Sequence, residues 1–235
     1  MLPFFYIREF SPSSDFIELD EINSKHIVQV LRMKIGDALH LTDGKGHLIT
    51  AEISEDHKKH CIVKKTAVNF HPRKGRSISL AISLVKNVSR FEWMLEKVTE
   101  IGAQKIVPLI CTRTEKEKFR FDRMEGICIS ALLQSKQVWL PELSEPVNFS
   151  QLADWKNQSG SLFIAHCEEQ AKNDIATISS TDLEEAMIAI GPEGDFTNDE
   201  ISLAFANGFQ PLSLGENRLR TETAGVVAVS LFKMK

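Results

Sequence analysis

The strongest constraint on the fold is an alternation of short apolar runs and amphipathic segments that begins near residue 77. Short apolar runs suit strands buried on both faces of a parallel sheet, and amphipathic segments suit the helices that cover such a sheet. The alternation therefore predicts an α/β domain with a largely parallel sheet. The predicted strands cover residues 77–85, 105–110, 161–165, 185–190 and 210–214.

Capping signals place helices between these strands. Residues 89–92 (Ser-Arg-Phe-Glu) and 197–200 (Thr-Asn-Asp-Glu) have the spacing of a capping box, which satisfies free amides at a helix start. We expect these helices to end at Gly102 and Gly208, because glycine readily adopts the left-handed conformation found at helix ends. Two further helices are predicted over residues 121–139, where Pro141 stops the helix, and 221–232.

The first 70 residues follow a different pattern, in which short strands dominate. Residues 38–42 and 47–53 flank the sequence Asp-Gly-Lys-Gly at 43–46, which is a strong hairpin signal. Apolar residues within 23–33 have helical spacing. We expect a small β-barrel with one helix. Further strands are predicted over residues 4–7 and 61–70.

A polar segment at residues 71–76, which contains Pro72 and Gly75, separates the two patterns. Segments of this kind are typical of domain boundaries. We therefore predict two domains, residues 1–72 and 73–235. Basic and acidic residues nearly balance up to Gly75 and the acidic excess follows it, so the first domain is the better candidate for contact with nucleic acid.

The composition is that of a soluble globular protein, with 43% hydrophobic and 26% charged residues. The apolar start of the chain is too short for a signal peptide, and no stretch reaches the roughly 18 apolar residues that a membrane span needs. The four cysteines lie far apart, which favours reduced thiols over a disulfide framework or a zinc site. We expect a cytoplasmic protein that uses neither a membrane nor a metal.

Two polar loops with glycines follow strands of the predicted sheet. Residues 191–194 (Gly-Pro-Glu-Gly) follow the strand that ends at Ile190, and residues 215–223 follow the strand that ends at Leu214. Ligands of open α/β sheets bind at the carboxyl ends of strands, and we expect these two ends to be adjacent. Neither loop has a phosphate-binding spacing, so a nucleoside suits them better than a dinucleotide. The alternative is that the glycines only turn the chain.

The order of residues in these loops resembles a known family. Residues 190–196 (Ile-Gly-Pro-Glu-Gly-Asp-Phe), 212–215 (Leu-Ser-Leu-Gly) and 218–224 (Arg-Leu-Arg-Thr-Glu-Thr-Ala) are similar to the signature of the RsmE-type 16S ribosomal RNA methyltransferases of the SPOUT superfamily. Further similarity lies at Lys86, residues 91–102, Gln134, Ser135 and Pro141, and, for the family's PUA-like domain, at His26 and residues 30–32, 36–37 and 43–44.

The resemblance implies a SPOUT-type α/β methyltransferase domain with a carboxyl-terminal trefoil knot, preceded by a small PUA-like β-barrel domain that binds RNA. It also implies S-adenosylmethionine as the cofactor, a homodimer, and 16S ribosomal RNA or the 30S subunit as the partner. The family's reaction is methyl transfer to N3 of uridine 1498. This nitrogen carries a proton, so a nearby cation and a carboxylate acceptor would assist its loss.

The resemblance assigns roles to individual residues. Arg220 is expected to be the catalytic cation, and Glu193 or Glu222 the proton acceptor. The expected cofactor-binding residues are Leu84, His166, Ile190, Gly191, Pro192, Glu193, Gly194, Leu214, Gly215, Leu219, Arg220, Thr221, Thr223 and Ala224. The expected RNA-binding residues are Arg8, His26, Arg32 and Lys86.

Several of these residues have simpler interpretations. Arg220 could form a surface ion pair with Glu222. His26 and Arg32 could be ordinary solvated side chains, since the chain has seven histidines. The basic residues within 113–123 are equally compatible with an RNA contact and with a solvated loop.

His166 and its neighbour Cys167 follow a predicted strand and could be a nucleophile or metal ligands. No third ligand or orienting partner stands at a motif spacing, so a position beside the cofactor fits them better.

The chain departs from the family's pattern at two places. Many members have an acidic residue before Gln-Ser and a Gly-Arg pair after it, whereas this chain has Leu133, Lys136 and Gln137. Asp195 replaces a common glycine after Gly194.

Two other functions stay open at this point. One is a non-catalytic RNA-binding or assembly protein that has kept the fold, against which the intact Gly191, Gly194, Gly215 and Arg220 argue. The other is a methyltransferase that acts on another RNA or on a ribose hydroxyl. Binding of S-adenosylmethionine would separate the first from an enzyme, and mapping of the methylated nucleotide would decide the second.

Overall fold

The computed structural model describes residues 2–151, 160–168, 172–174, 178 and 184–234. The chain forms two compact units. The first consists of Met1–Arg73 and Leu132–Leu140, and the second of Lys74–Ala131 and Pro141–Lys235. The domain boundary after residue 72 stays a prediction, and no sequence pattern indicated that Leu132–Leu140 would pack with the first unit.

The first unit is built on five strands, which are β1 (Phe4–Tyr6), β2 (Phe16–Glu18), β3 (Ala38–Thr42), β4 (His47–Glu55) and β5 (Ile62–Phe70). They form one sheet with the order β1-β3-β4-β5-β2. Strand β1 runs parallel to β3, and the other pairs are antiparallel. The predicted hairpin is confirmed, because β3 and β4 pair across residues 43–46.

The helical segment of this unit differs from the single predicted helix over 23–33. Helix α1 (Glu21–Lys25) begins at an N-cap formed by Asp20, and a π-helical turn over His26–Val30 follows it directly. The wider turn buries Ile27 completely in the core. The segment ends at Arg32, whose φ of 56° lies in the left-handed region.

The hairpin turn explains why Leu132–Leu140 belongs to the first unit. The amide of Gly46 donates to the carbonyl oxygen of Val138 at 2.8 Å, and the amide of Leu140 donates to Gly44 at 2.9 Å. Gly46 has a φ of 100°, and a Cβ there would lie 2.5 Å from the Trp139 ring. Only glycine allows this close approach.

The described strands of the second unit are β6 (Ser77–Ser83), β7 (Lys105–Ile110), β8 (Glu142–Leu143), β9 (Val147–Asn148), β10 (Ser161–Ala165), β11 (Asn173–Asp174), β12 (Glu185–Ile190) and β13 (Gln210–Ser213). They form a parallel sheet with the order β11-β13-β10-β12-β6-β7-β8, in which β9 also pairs with β7. The parallel α/β architecture is therefore confirmed. The central strands β6 and β12 are almost fully buried, as their continuous apolar runs predicted.

Four helices follow the predicted alternation: α2 (Val88–Ile101), α3 (Phe121–Ser135), α4 (Asn198–Ala206) and α5 (Thr221–Met234). The capping box of α4 is confirmed, since Thr197 and Glu200 bond reciprocally. The capping box predicted at residues 89–92 is wrong. Asn87 caps α2 by accepting a hydrogen bond from the amide of Ser89, and Glu92 instead binds Arg123.

Helix α3 ends at Ser135 rather than at residue 139, because Lys136 turns into the left-handed region with a φ of 57°. Helix α5 approaches β6 closely: a Cβ on Gly225 would lie 2.7 Å from Cδ1 of Ile82. No helix among the described residues is both long and apolar enough to span a bilayer.

Candidate active site

Three loops of the second unit open at the same edge of the sheet. Strand β10 lies between β12 and β13, and Ala165 near its end is in register with Ile190 on one side and Leu212 on the other. The two glycine-bearing loops were expected at adjacent strand ends, which is wrong, because β10 separates them. The loop after β10 therefore joins them in a single site.

The three loops surround a cavity of about 740 Å³. This volume lies within the range of small-molecule sites. Most residues that the family resemblance assigned to the cofactor or to catalysis contribute to its lining. They are His166, Ile190, Gly191, Pro192, Glu193, Leu214, Gly215, Leu219, Arg220, Thr221, Glu222 and Ala224.

Three assigned cofactor residues are not among the lining. Leu84 is buried, and its amide donates to the carbonyl oxygen of Leu109 at 3.0 Å. The carbonyl oxygen of Gly194 faces Arg113, whose guanidinium donates to it at 2.7 Å. Thr223 lies half-buried on α5. Their assignment to the cofactor stays a prediction.

The two glycines of the predicted loops have different physical roles. A Cβ on Gly191 would lie 3.0 Å from the ring of Phe196 and 3.1 Å from its amide nitrogen, so this glycine lets the loop pack on a buried aromatic residue. Gly215 has a φ of 119°, and no atom lies within 4 Å of the position that a Cβ would take, so its requirement is the backbone conformation. The hydroxyl of Thr221 also donates to the carbonyl oxygen of Gly191 at 3.0 Å, which ties α5 to the loop after β12.

His166 is the most unusual side chain of the cavity. It is 6% exposed, and neither ring nitrogen has a hydrogen-bond partner among the described residues. Burial and, to a lesser degree, the charge of Lys172 lower its pKa, so the neutral ring prevails at pH 7. A buried, unsatisfied imidazole is costly unless a ligand supplies the missing hydrogen bonds.

The charged residues of the cavity differ in their burial and in their partners. Arg220 makes no ion pair with any residue that the structure describes, and the proposed surface pair with Glu222 does not form. Glu222 is buried and lies 3.7 Å from Nε of Arg90. Glu193 is exposed, and its Oε1 accepts a hydrogen bond from the amide of Lys86 at 2.9 Å.

Sequence reasoning missed part of the lining. Glu216, Asn217 and Arg218 lie inside a loop that was already singled out, so the strand-end argument could have included them. Arg90 comes from the start of α2, and Lys172 from beyond β10, and neither carries a motif. The other unassigned lining residues are Ala165, Asp195, Leu212 and Ser213, together with Cys167, which was placed beside the cofactor without being assigned to it.

The expected RNA-binding residues do not form one cluster within either unit. Arg8, His26 and Arg32 are exposed in the first unit. Lys86 belongs to the second unit, where its ammonium lies 2.7 Å from Glu115 and the pKa of Lys86 is raised by this pairing. Across the described part of the chain, no group of His, Cys, Asp and Glu side chains is arranged to hold a metal ion.

Two family models match the chain. One, described as an RNA methyltransferase domain, covers residues 72–233, and the other, described as an RNA methyltransferase PUA domain, covers residues 19–66. The ribosomal RNA small subunit methyltransferase E of Synechocystis sp. is 32% identical over 210 residues, which cover 87% of this chain and 68% of that protein.

Solved structures have the same fold over the whole chain. A probable rRNA-methyltransferase from Porphyromonas gingivalis superposes with a TM-score of 0.89 at 35% identity, covering 97% of this chain and 95% of that one. The ribosomal RNA small subunit methyltransferase E from Neisseria gonorrhoeae, solved bound to S-adenosyl methionine, has a TM-score of 0.88 at 26% identity and covers 100% and 98% of the two chains. The PUA-like first domain and the SPOUT-type second domain agree with these matches.

Proposed function

The chain belongs to the RNA methyltransferase family, and on that premise we propose that it transfers a methyl group from S-adenosylmethionine to N3 of uridine 1498 in the 16S RNA of the small ribosomal subunit. The observation that carries the proposal is the cavity at the ends of β10, β12 and β13, with the unsatisfied imidazole of His166 in its wall.

The lining fits S-adenosylmethionine. A neutral imidazole has one hydrogen-bond donor and one acceptor. His166 can therefore form hydrogen bonds with polar groups of the cofactor. When bound, the cofactor supplies an electrophilic methyl group on a sulfonium centre. The residues that would hold it are His166, Ile190, Gly191, Pro192, Leu214, Gly215, Leu219, Thr221 and Ala224.

Arg220 is the proposed catalytic cation. It precedes α5, lines the cavity and has no ion-pair partner among the described residues, so its charge is available to the substrate. A positive charge beside the uracil ring stabilises the anion that forms when N3 loses its proton.

Glu193 is the better of the two candidate proton acceptors. The amide of Lys86 donates a hydrogen bond to one oxygen of Glu193, which orients the carboxylate at the cavity. The other oxygen can then accept the proton from N3 of the uracil ring. Glu222 is buried beside Arg90, where an incoming proton would weaken an existing ion pair. We assign Glu222 to the orientation of Arg90 and Glu193 to the proton.

The first unit is the proposed RNA clamp. Residues 19–66 match the PUA domain found in RNA methyltransferases, and Arg8, His26 and Arg32 are exposed there. Lys86 is the proposed contact of the second unit. Basic side chains such as these bind RNA phosphates, which positions the RNA on the protein. The base that reacts is selected at the cavity. A ribosomal substrate places the reaction in the cytoplasm.

A homodimer and the carboxyl-terminal trefoil knot complete the proposal. Helices α2 and α5 pack against each other and carry large exposed apolar side chains, including Trp93 at 45% and Met234 at 86% exposure. A partner chain that covers these side chains would remove apolar surface from water.

The experiment that tests the function measures methyl transfer from labelled S-adenosylmethionine to unmodified 30S subunits and to free 16S RNA. We expect incorporation with at least one of the two substrates. Glu193→Gln, which keeps the shape and the hydrogen bond from Lys86, should bind the cofactor and lose turnover by about 10²-fold. If the wild type binds no S-adenosylmethionine, the proposed function is wrong.

A further inference from the structure

Asp195 lines the cavity in a backbone conformation that most side chains avoid. Its φ is 64°, in the left-handed region, where glycine is the default residue. The sequence has aspartate where the family that it resembles commonly has glycine. Short polar side chains tolerate this conformation only when local hydrogen bonds compensate for it.

Both carboxylate oxygens of Asp195 are engaged by main-chain amides. Oδ1 accepts from the amide of Phe196 at 2.8 Å, and Oδ2 accepts from the amide of Cys167 at 2.7 Å. The first bond lies within the loop after β12, whereas the second reaches the loop after β10. A single side chain therefore links two of the three loops that surround the cavity.

The hydrogen bond to Cys167 is made by the residue that directly follows His166. It fixes the main chain on the carboxyl side of the histidine, while β10 fixes the chain on the amino side. The ring of His166 packs against Phe205 with 6.0 Å between ring centroids, and its two nitrogens remain without a described partner. Asp195 thus controls where a buried hydrogen-bonding group meets the cavity.

We propose that Asp195 is a positioning residue, which braces the loop after β10 against the loop after β12 and holds His166 in the orientation that binds S-adenosylmethionine. This inference rests on the proposed function for the identity of the ligand. Such a brace makes the loops less mobile before the ligand binds, so less conformational entropy is lost on binding. It therefore changes the affinity and not the chemical step.

Two substitutions remove or weaken the brace at a positive φ that both new residues tolerate. Asp195→Gly suits the positive φ and loses both bonds, and Asp195→Asn suits it and keeps one acceptor oxygen. Lys136→Gly is the matched control, because Lys136 also has a positive φ, 57°, also stands where the family has glycine, and does not line the cavity.

The test measures the affinity for S-adenosylmethionine by calorimetry and turnover at saturating cofactor. We expect the Kd to rise about 10-fold in Asp195→Gly and by less in Asp195→Asn, with kcat within about twofold of the wild type. Lys136→Gly should bind like the wild type. An unchanged Kd in Asp195→Gly, or a loss confined to kcat, would overturn the inference, and so would an equal loss of affinity in Lys136→Gly.

A second readout does not depend on the cofactor. Amide hydrogen exchange of Cys167 in the ligand-free protein should be faster in Asp195→Gly than in the wild type, and unchanged in Lys136→Gly. Equal exchange of Cys167 in all three proteins contradicts the brace. If the wild type fails to bind S-adenosylmethionine, the proposed function has failed, and this exchange measurement still decides separately whether the two loops are linked.

Discussion

Among the single residues of the cavity, Arg220 makes no ion pair with any residue that the structure describes. Glu222 is only two positions away, but it is not the partner of Arg220. Glu222 instead lies beside Arg90, which the chain brings from the start of α2. Pairing between residues so distant in sequence depends on how α2 and α5 pack, and no local pattern encodes it.

The free charge of Arg220 leads to a first prediction. Arg220→Ala should leave the affinity for S-adenosylmethionine nearly unchanged and lower the single-turnover rate at saturating RNA by about 10²-fold or more, because the positive charge beside the uracil ring is lost. Arg120→Ala is the matched control, since Arg120 is an exposed arginine of the second unit that does not line the cavity. Methylation by Arg220→Ala at the wild-type rate would remove its catalytic role.

A second prediction concerns His166 and pH. Its pKa is lowered in the folded protein by burial, from an ordinary value of 6.5, so the unfolded chain binds the proton more readily. The free energy of unfolding should therefore decrease as the pH falls through 6.5 and below. Denaturation of the wild type and of His166→Gln between pH 5 and 8 tests this, because the variant should lack that part of the pH dependence.

At the scale of elements, periodicity and apolar runs predicted most long strands and helices, because burial imposes those patterns directly. The strands β2, β8, β9 and β11 were missed, since two or three residues are too few to show a clear pattern. The start of α2 was misplaced because Asn87 and Ser89 both suit an N-cap. The order of strands was not predictable from local sequence, and so the role of the loop after β10 emerged only from the register of the sheet.

The glycines of the loops carry a third prediction. Gly191→Ala should lower the free energy of unfolding by about 1–3 kcal/mol, because its Cβ would crowd Phe196. Gly215→Ala should instead weaken S-adenosylmethionine binding, because a side chain disfavours its φ of 119° at the cavity. Chemical denaturation and calorimetry separate the two effects.

Gly126→Ala supplies the control for these variants. Gly126 lies within α3, and a Cβ there meets no atom within 4 Å. The alanine should be neutral or stabilising, by up to about 1 kcal/mol, because alanine is the better helix former. If Gly215→Ala binds the cofactor as tightly as Gly126→Ala does, the loop after β13 has no part in the binding site.

For the whole molecule, the change of pattern at residues 71–76 predicted two domains, and the family resemblance gave these domains different tasks. A fourth prediction follows from this separation. Arg32→Ala should weaken RNA binding at every salt concentration and reduce its salt dependence, while the affinity for S-adenosylmethionine stays the same. Filter binding across a salt series measures the first effect and calorimetry the second. Unaltered RNA affinity would show that the first unit does not bind RNA through Arg32.

A fifth prediction concerns assembly. Light scattering should give the mass of a dimer, and Trp93→Glu should shift the protein towards the monomer, because a carboxylate would be buried among apolar side chains of the interface. Trp139→Glu is no suitable control, because Trp139 supports the hairpin of the first unit. Phe16→Glu, an exposed aromatic residue of the first unit, should leave the dimer intact. A stable, fully active wild-type monomer contradicts the proposal.

The identity of the methylated atom decides whether the proposed function is right. Mass mapping measures it in 16S RNA from cells that lack this protein, before and after incubation of their 30S subunits with the pure protein and S-adenosylmethionine. Uridine 1498 should be unmethylated before treatment and should carry one methyl group on N3 afterwards. A methyl group that appears on another nucleotide or on a ribose hydroxyl, or a uridine 1498 that is already methylated in those cells, would contradict it.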